Sequence, residues 1–287
     1  MKPAHPGFKR LIDVGLELAK HCKSEQRAPI FGTLGNLHSE LRRFVEAEAA
    51  YEEALRSYKS LAEKSPEAYL PYVASTQNNL GVLYRDLQRF GDAETAYKEA
   101  LAIRKALAEK NPEAYLHNLL QTQANIGVFY ISTNRPDQGI HLLETVLKQR
   151  KVLPDFGARA FAGLGKAYEK LQNRKSAAQN YLQAAANHFI LFRKGVKCLP
   201  TVVNYLGKVT KLGETEVKGD AQLMLTAMRR LAGEDVQIPQ VPLSKKGEAL
   251  KEALNGKKTE FKPENEIDIM ILILINDLLP KKNQETT

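Results

Sequence analysis

The chain has 287 residues, of which 43% are hydrophobic and 26% charged, and it contains 18 glycines, 13 prolines and no tryptophan. This composition excludes collagen-like chains, disulfide-rich miniproteins and wholly disordered polypeptides. The two cysteines, Cys22 and Cys198, lack a framework spacing and predict reduced thiols in a reducing compartment.

The formal net charge of +9 is concentrated in one stretch of the chain. Residues 1–149 carry a net charge of +1 and residues 231–287 a net charge of −2, whereas residues 150–230 hold 15 basic and 5 acidic side chains. A basic stretch of this kind attracts acidic peptides or nucleic acid.

Targeting and membrane signals are absent from the sequence. Asp13, Glu17 and Lys20 interrupt the first twenty residues, where a signal peptide needs an unbroken apolar stretch. The longest apolar run, Ile269–Ile275, is far shorter than the roughly 20 residues of a transmembrane helix. We therefore expect a cytoplasmic protein that does not bind membranes.

The first predicted element is an amphipathic helix over Phe8–His21. It precedes a repeated region, and the terminal unit of a helical array needs a cap. We therefore assign residues 1–28 to an N-terminal capping helix.

A repeat with a spacing of 46 residues follows. LAEKSPEAYL at 61–70 returns as LAEKNPEAYL at 107–116, and Leu-Gly or Ile-Gly pairs recur at 34–35, 80–81 and 126–127. A fourth copy follows after 38 residues at 164–165, and a degenerate fifth lies around Leu206-Gly207. In the four clear copies a small residue stands 12 positions after the glycine, and an aromatic residue or leucine stands 16 after it.

Each copy predicts a helical hairpin. Small residues such as Gly81 and Ala93 allow two helices to approach closely. Ser65-Pro66-Glu67 and Asn111-Pro112-Glu113 are typical helix starts, with a capping residue, then proline, then an acid near the positive end of the helix dipole. Since no window shows the sustained alternation of strands, the predicted fold class is all-α.

The segment NNLGVLYRDLQRFGDAETAYKEAL at 78–101 resembles a tetratricopeptide repeat (TPR), with its L-G-x-x-Y and A-x-x-x-Y-x-x-A pattern. The spacing exceeds the usual value of about 34 residues and is similar to that of the long repeats of kinesin light chains. The resemblance implies a right-handed superhelical solenoid over residues 29–233, with four clear repeats and a degenerate fifth. It also implies a concave groove that binds partner proteins.

Residues 234–287 are predicted to form a linker and an apolar C-terminal helical tail. Glu248–Leu254 predicts a short helix, and Glu266–Leu279 predicts a strongly apolar helix that ends before Pro280. Such an apolar segment does not stay exposed in a monomer. It packs on the last hairpin, forms a homodimer through residues 265–279, or lies in the chain's own groove, and the sequence leaves all three open.

Catalytic and metal-binding motifs are missing. The six histidines have no metal-ligand spacing, and neither HExxH, CxxC nor GxSxG occurs. We therefore expect a non-enzymatic protein with no cofactor and no metal.

The groove residues are predicted from the TPR register, in which positions near the Leu-Gly pair of each leading helix face the groove. They are Thr33 and Asn36 in the first copy, Asn78, Asn79, Arg85 and Asp86 in the second, Gln121 and Asn125 in the third, Arg159, Lys166 and Lys170 in the fourth, and Asn204, Lys208 and Lys211 in the fifth.

Asn79 and Asn125 share one register, and carboxamides both donate to and accept from a peptide backbone. This arrangement resembles the asparagine ladder with which kinesin light chains hold peptides, although asparagines bonded to a neighbouring hairpin are the alternative. Gly32 and Gln121 stand where the carboxylate clamp of the family has lysine, which argues against binding of an acidic C-terminal tail.

The sequence thus predicts a scaffold that binds a segment of another protein, acidic where it meets the lysines of the last two copies. Two alternatives stay open. One is a nucleic-acid-associated protein that uses residues 150–230, and the other is a subunit that self-assembles through its apolar tail.

Overall fold

The computed structural model describes residues 6–149 and 154–278, which contain thirteen α-helices and no β-strand. The chain forms two compact units, the first ending at Phe129 and the second beginning at Tyr130. The predicted all-α class is confirmed, with consecutive helical hairpins of the kind found in a TPR solenoid.

The helices of the first unit are α1 (Pro6–His21), α2 (Ser24–Glu40), α3 (Phe44–Lys64), α4 (Pro66–Asp86), α5 (Phe90–Lys110) and α6 (Pro112–Ser132), whose last residues enter the second unit. Those of the second are α7 (Pro136–Leu147), α8 (Pro154–Lys170), α9 (Arg174–Arg193), α10 (Leu199–Leu212), α11 (Thr215–Leu231), α12 (Lys245–Leu254) and α13 (Glu266–Leu278). The even-numbered helices from α2 to α10 lead the hairpins, and the odd-numbered helices from α3 to α11 trail.

Helix length explains the spacing of 46 residues. Helices α3, α4, α5 and α6 are each 21 residues long. A single residue, Ser65 or Asn111, separates a trailing helix from the next leading helix, and Pro66 and Pro112 begin equivalent helices. Helices α7 and α8 have only 12 and 17 residues, in line with the shorter offset of the fourth copy.

Both proline-led starts lie where the sequence predicts them, but their caps differ. Asn111 Oδ1 accepts a hydrogen bond from the Ala114 N–H at 3.1 Å. Ser65 makes no such side-chain hydrogen bond, so its predicted capping role is wrong. The backbone carbonyls of both residues accept the N–H four positions later at 3.2 Å, so α4 starts with this bond alone and without a side-chain cap.

The two helices of a hairpin meet where a glycine lies under a tyrosine ring. In three hairpins a Cβ atom on the glycine would lie 2.4 to 2.8 Å from a ring carbon, closer than any side chain allows. Only glycine therefore lets the buried ring contact the leading helix. The pairs are Gly35 with Tyr51, Gly81 with Tyr97, and Gly165 with Tyr181.

A left-handed residue closes the turn inside each of the first four hairpins. Arg42, Gln88, Asn134 and Gln172 have φ between 57° and 62°. The N–H of the residue after each donates to a carbonyl five residues earlier, at 2.8 or 2.9 Å. This bond closes the end of the leading helix, as in other helices that end in a left-handed residue.

Helix α1 packs on the first hairpin through Ile12, which shares a buried cluster with Leu34 and Ala50. Helix α2 begins at Ser24, so the predicted domain boundary after residue 28 lies inside this helix.

The fifth hairpin, α10 and α11, holds the following linker in place through buried hydrogen bonds. Asp220 of α11 accepts hydrogen bonds from the backbone N–H of Ser244 at 3.0 Å and from its hydroxyl at 2.5 Å. Ser244 Oγ in turn accepts the Gly247 N–H and caps α12. This cap explains why α12 begins at Lys245, before the predicted start.

The apolar tail helix α13 packs within its own chain. Its buried residues form one cluster with α9, α10, α11 and α12. Lys246 of α12 pairs at 2.6 Å with Asp268 of α13, whose side chain is 1% exposed. Of the three alternatives, the structure shows packing within the chain, on α11 of the last hairpin and on the flanking helices α9 and α12. The predicted end at Leu279 and Pro280 lies outside the described residues. The buried apolar residues of α13 are Met270, Ile271, Leu274 and Ile275.

Candidate peptide-binding groove

The predicted asparagines of the first unit form a continuous chain of hydrogen bonds across three leading helices, which we call the asparagine ladder. Asn125 of α6 donates its Nδ2 to Asn78 Oδ1 of α4 at 3.0 Å. Asn78 Nδ2 donates to Asn79 Oδ1 at 3.4 Å, and Asn79 Nδ2 donates to Asn36 Oδ1 of α2 at 3.1 Å. Tyr51 adds its hydroxyl to the same Asn36 oxygen at 2.8 Å.

Burial divides the ladder into an inner and an outer part. Asn78 and Asn125 are buried, and the oxygen of Asn78 is occupied by Asn125 and by the hydroxyl of Thr122 at 3.3 Å. Asn79 is half-buried and Asn36 is exposed. The inner amides therefore join neighbouring hairpins, as the sequence-based alternative allows, and the outer amides remain accessible to a ligand.

Arg104 of α5 forms the base of the ladder. Its Nη1 donates to Thr122 Oγ1 at 2.6 Å and to the Asn118 carbonyl at 2.7 Å, and its Nη2 donates to Ser75 Oγ at 3.2 Å. The residue is 3% exposed, and within the described part of the chain it has no ion pair. Burial lowers the pKa of its guanidinium from 12.5 to about 10. Because Thr122 accepts from Arg104, its hydroxyl proton points to Asn78.

The donors of this network thus run in one direction, from Arg104 through Thr122, Asn78 and Asn79 to Asn36. Asn36 Oδ1 accepts two hydrogen bonds, which uses both of its lone pairs. Its Nδ2 has no partner among the described residues, so the exposed end of the ladder presents only donors.

The remaining predicted residues of the first unit are exposed or half-buried. Thr33 is exposed and donates its hydroxyl to the Pro29 carbonyl at 2.9 Å. Arg85 and Asp86 pair with each other at 2.7 Å. Gln121 is half-buried, with its Oε1 at 3.4 Å from Arg104 Nη1.

Two of the predicted lysines of the second unit are engaged within the chain. Lys170 donates to the Ile131 carbonyl at 2.7 Å. Lys208 pairs with Glu169 at 3.1 Å, donates to the Tyr181 hydroxyl at 2.9 Å and lies 4.3 Å from the Tyr181 ring centroid. The hydrogen bond from the Tyr181 hydroxyl, together with Lys208, lowers the pKa of the Glu169 carboxyl.

Other predicted residues of the second unit are exposed. Lys166, Lys211, Asn204 and Arg159 have exposed side chains, and the charge of Lys166 contributes to the lowered pKa of the Glu169 carboxyl. The positive charge of this stretch is therefore offset at Lys208 by the ion pair with Glu169, and it stays exposed at Lys166 and Lys211.

The described aromatic residues of the basic stretch are buried or half-buried. Tyr181 and Phe189 are buried, and the Tyr181 ring stacks on Tyr205 with centroids 5.8 Å apart. Phe161, Tyr168, Phe192 and Tyr205 are half-buried, and Phe156 lies among residues whose side chains are not described.

Sequence reasoning missed Arg104, Thr122 and Tyr51 as members of the ladder. A signal existed for Arg104, because it stands 46 positions after Tyr58, a buried core residue of the preceding repeat. A cation at a core position of the repeat indicates a buried polar network. Thr122 and Tyr51 carry no such signal, since both types are ordinary at their positions.

Comparison with known proteins agrees with this architecture. Residues 30–66 and 73–113 match the family described as tetratricopeptide repeat. Among solved structures, BtubC (BKLC) from P. vanneervenii superposes with a TM-score of 0.54 at 16% sequence identity, over 91% of this chain and 94% of that one. At this identity the likeness shows a shared fold. Curated proteins yield no match to the chain.

A search of the described helices for a membrane span finds none that combines the necessary length and apolar character.

Proposed function

Because the chain is a tetratricopeptide-repeat protein, we propose that it is a non-enzymatic scaffold that binds a segment of another protein, with Asn36 and Asn79 as its peptide-contacting amides. Repeats of this family mediate protein–protein interactions in general. The proposal rests on the outer end of the asparagine ladder, where Asn36 presents unpartnered N–H groups at the surface of a leading helix.

The chemistry of this end favours a main-chain carbonyl as its ligand. Asn36 has no acceptor capacity left, so it pairs with oxygen rather than with an N–H group. Asn79 keeps one N–H and one lone pair, which suits the alternating carbonyl and amide groups of an extended peptide. The hydrogen bonds behind these amides hold them in position, which reduces the entropy lost when a ligand binds.

Exposed lysines of the second unit favour an acidic partner in this proposal. Lys166 and Lys211 are exposed cations, and they favour an acidic partner segment by raising its rate of encounter.

The test is affinity capture from a nuclease-treated lysate of the source organism with wild-type chain, the double variant Asn36→Ala/Asn79→Ala and the control Asn276→Ala. Asn276 is an exposed asparagine of α13, remote in sequence from the ladder. Loss of two hydrogen bonds, at about 1 kcal/mol each, should weaken binding of a specifically captured protein roughly 30-fold.

Circular dichroism should show the same helix content for all three proteins, because the two ladder residues are not in the apolar core. Equal capture by the double variant and the wild type would show that the ladder does not hold the partner. A parallel capture from untreated lysate tests the nucleic-acid alternative, which would be supported by proteins that are retained there and lost after nuclease treatment.

A further inference from the structure

Helices α1 and α2 form the two walls of an open apolar groove of about 450 Å³, which we call the α1–α2 groove. One wall carries Leu11, Val14 and Leu18 of α1, and the other carries Pro29, Ile30, Thr33 and Leu37 of α2, with Gly15 and Leu34 at the base.

The α1 wall is only about half covered by the rest of the chain. Leu11, Val14 and Leu18 are 58%, 50% and 53% exposed, and their spacing of three and four residues places them along one stripe. The buried positions Ile12 and Ala19 lie on the adjoining face. An exposed apolar stripe of this kind is typical of an interaction surface.

The groove adjoins the outer end of the asparagine ladder. Thr33 and Leu37 line it, and Asn36 lies between them in sequence, one turn after Thr33. Three residues of helix advance about 4.5 Å, whereas an extended peptide advances about 3.3 Å per residue. A peptide whose carbonyl is bound by Asn36 can therefore reach the groove with a side chain one to three residues away.

We propose that the α1–α2 groove binds a bulky apolar side chain, such as leucine, methionine or phenylalanine, of the same peptide segment that Asn36 and Asn79 hold. This proposal rests on the proposed function and specifies its ligand as a peptide with an apolar anchor beside the ladder. A second copy of the chain fits the groove less well. The stripe from Leu11 to Leu18 is only about 10 Å long. A stripe of this length is too small to supply the roughly 800 Å² that a stable interface needs from each partner.

The test uses a phage-displayed library of random dodecapeptides selected on the full chain. The variants are Leu18→Gln in the groove, Leu16→Gln as its control and Asn36→Ala/Asn79→Ala in the ladder. Leu16 is on the same helix and 43% exposed but does not line the groove. Glutamine keeps the size and helix preference of leucine, and both substituted positions are exposed, so both variants should fold.

We expect peptides selected on the wild type to share one large apolar residue at a fixed position. A synthetic copy of such a peptide should bind Leu18→Gln roughly tenfold more weakly and Leu16→Gln with unchanged affinity. Replacement of the anchor residue by alanine in the peptide should reduce binding to the wild type and have little further effect on Leu18→Gln.

The possible failures are distinguishable. Selected peptides that need the ladder but bind Leu18→Gln as tightly as the wild type would overturn the groove proposal and leave the proposed function intact. Peptides that bind the ladder double variant normally, or a selection that enriches none, would overturn the proposed function and the groove proposal with it. Sedimentation that shows a dimer of the wild type and a monomer of Leu18→Gln would assign the groove to a second copy instead.

Discussion

The glycine under each tyrosine ring gives a sharp test of how the hairpins are packed. In Gly81→Ala the new Cβ atom would lie 2.6 Å from Tyr97 Cδ1 and 2.7 Å from Cε1, where an ordinary contact begins at 3.4 Å. The ring is 1% exposed and cannot turn toward solvent. The helices must therefore separate, and overpacking of this kind costs about 1–3 kcal/mol.

Helix propensity acts in the opposite direction. Alanine stabilises a helix interior by up to about 1 kcal/mol relative to glycine, so the net loss in Gly81→Ala should be up to about 2 kcal/mol. Gly32 in the neighbouring helix α2 meets nothing within 4 Å, so Gly32→Ala should gain about 0.5–1 kcal/mol. The second unit repeats the comparison, with Gly165→Ala expected to destabilise and Gly207→Ala to stabilise.

Urea unfolding followed by far-UV circular dichroism measures all four variants. Within each pair, the two variants should change the free energy of unfolding in opposite directions, and its dependence on urea concentration should stay similar. If Gly81→Ala is as stable as Gly32→Ala, the ring contact is not the reason for glycine at this register. The contact between glycine and tyrosine then does not set how closely the two helices approach.

Three further predictions concern buried polar groups. The lowered pKa of Arg104 corresponds to about 3 kcal/mol of unfavourable desolvation. Its three shortest hydrogen bonds roughly offset this cost at about 1 kcal/mol each. Urea unfolding should therefore show Arg104→Met within about 1.5 kcal/mol of the wild type and Arg104→Ala about 3 kcal/mol less stable, because alanine leaves a cavity. Lys246→Met leaves the buried Asp268 carboxylate unpaired and should lower the free energy of unfolding by about 2 kcal/mol, a loss that adding Asp268→Asn should partly restore. Burial lowers the pKa of His38 and His188 below the ordinary value of 6.5. The stability they contribute is therefore complete above pH 6.5 and is lost as the pH falls through their lower folded values. His38→Gln/His188→Gln should flatten the stability profile on the acidic side of pH 6.5, and an unchanged slope would refute this.

The hairpins could be predicted from the sequence because their spacing depends on close contacts that few residues satisfy. Gly81 and Tyr97 recur at the same offset in other copies, and proline marks the starts of α4 and α6. The turns were harder to predict, since Gln88 and Gln172 adopt left-handed φ where glycine is the usual signal. A capping residue at Ser65 was predicted for the same local reasons as at Asn111, yet only Asn111 makes the bond.

The ladder could be predicted only in part. Register identified Asn36, Asn78, Asn79 and Asn125, but which amides bond to each other depends on the distance between leading helices. The same limit applies to Lys208, whose partner Glu169 is 39 residues away in sequence. The cytoplasmic location, the domain boundaries and a homodimer through residues 265–279 stay predictions.

The left-handed turns leave the chain room for improvement as an engineered binder. A residue other than glycine costs roughly 1–2 kcal/mol in this conformation, and the first four hairpins each hold one, at Arg42, Gln88, Asn134 and Gln172. Glycine at these positions should raise the urea midpoint step by step without changing a ladder or groove side chain. The array can thus be made more robust at its turns while its specificity is redesigned on its leading helices, so that the two properties are optimised separately.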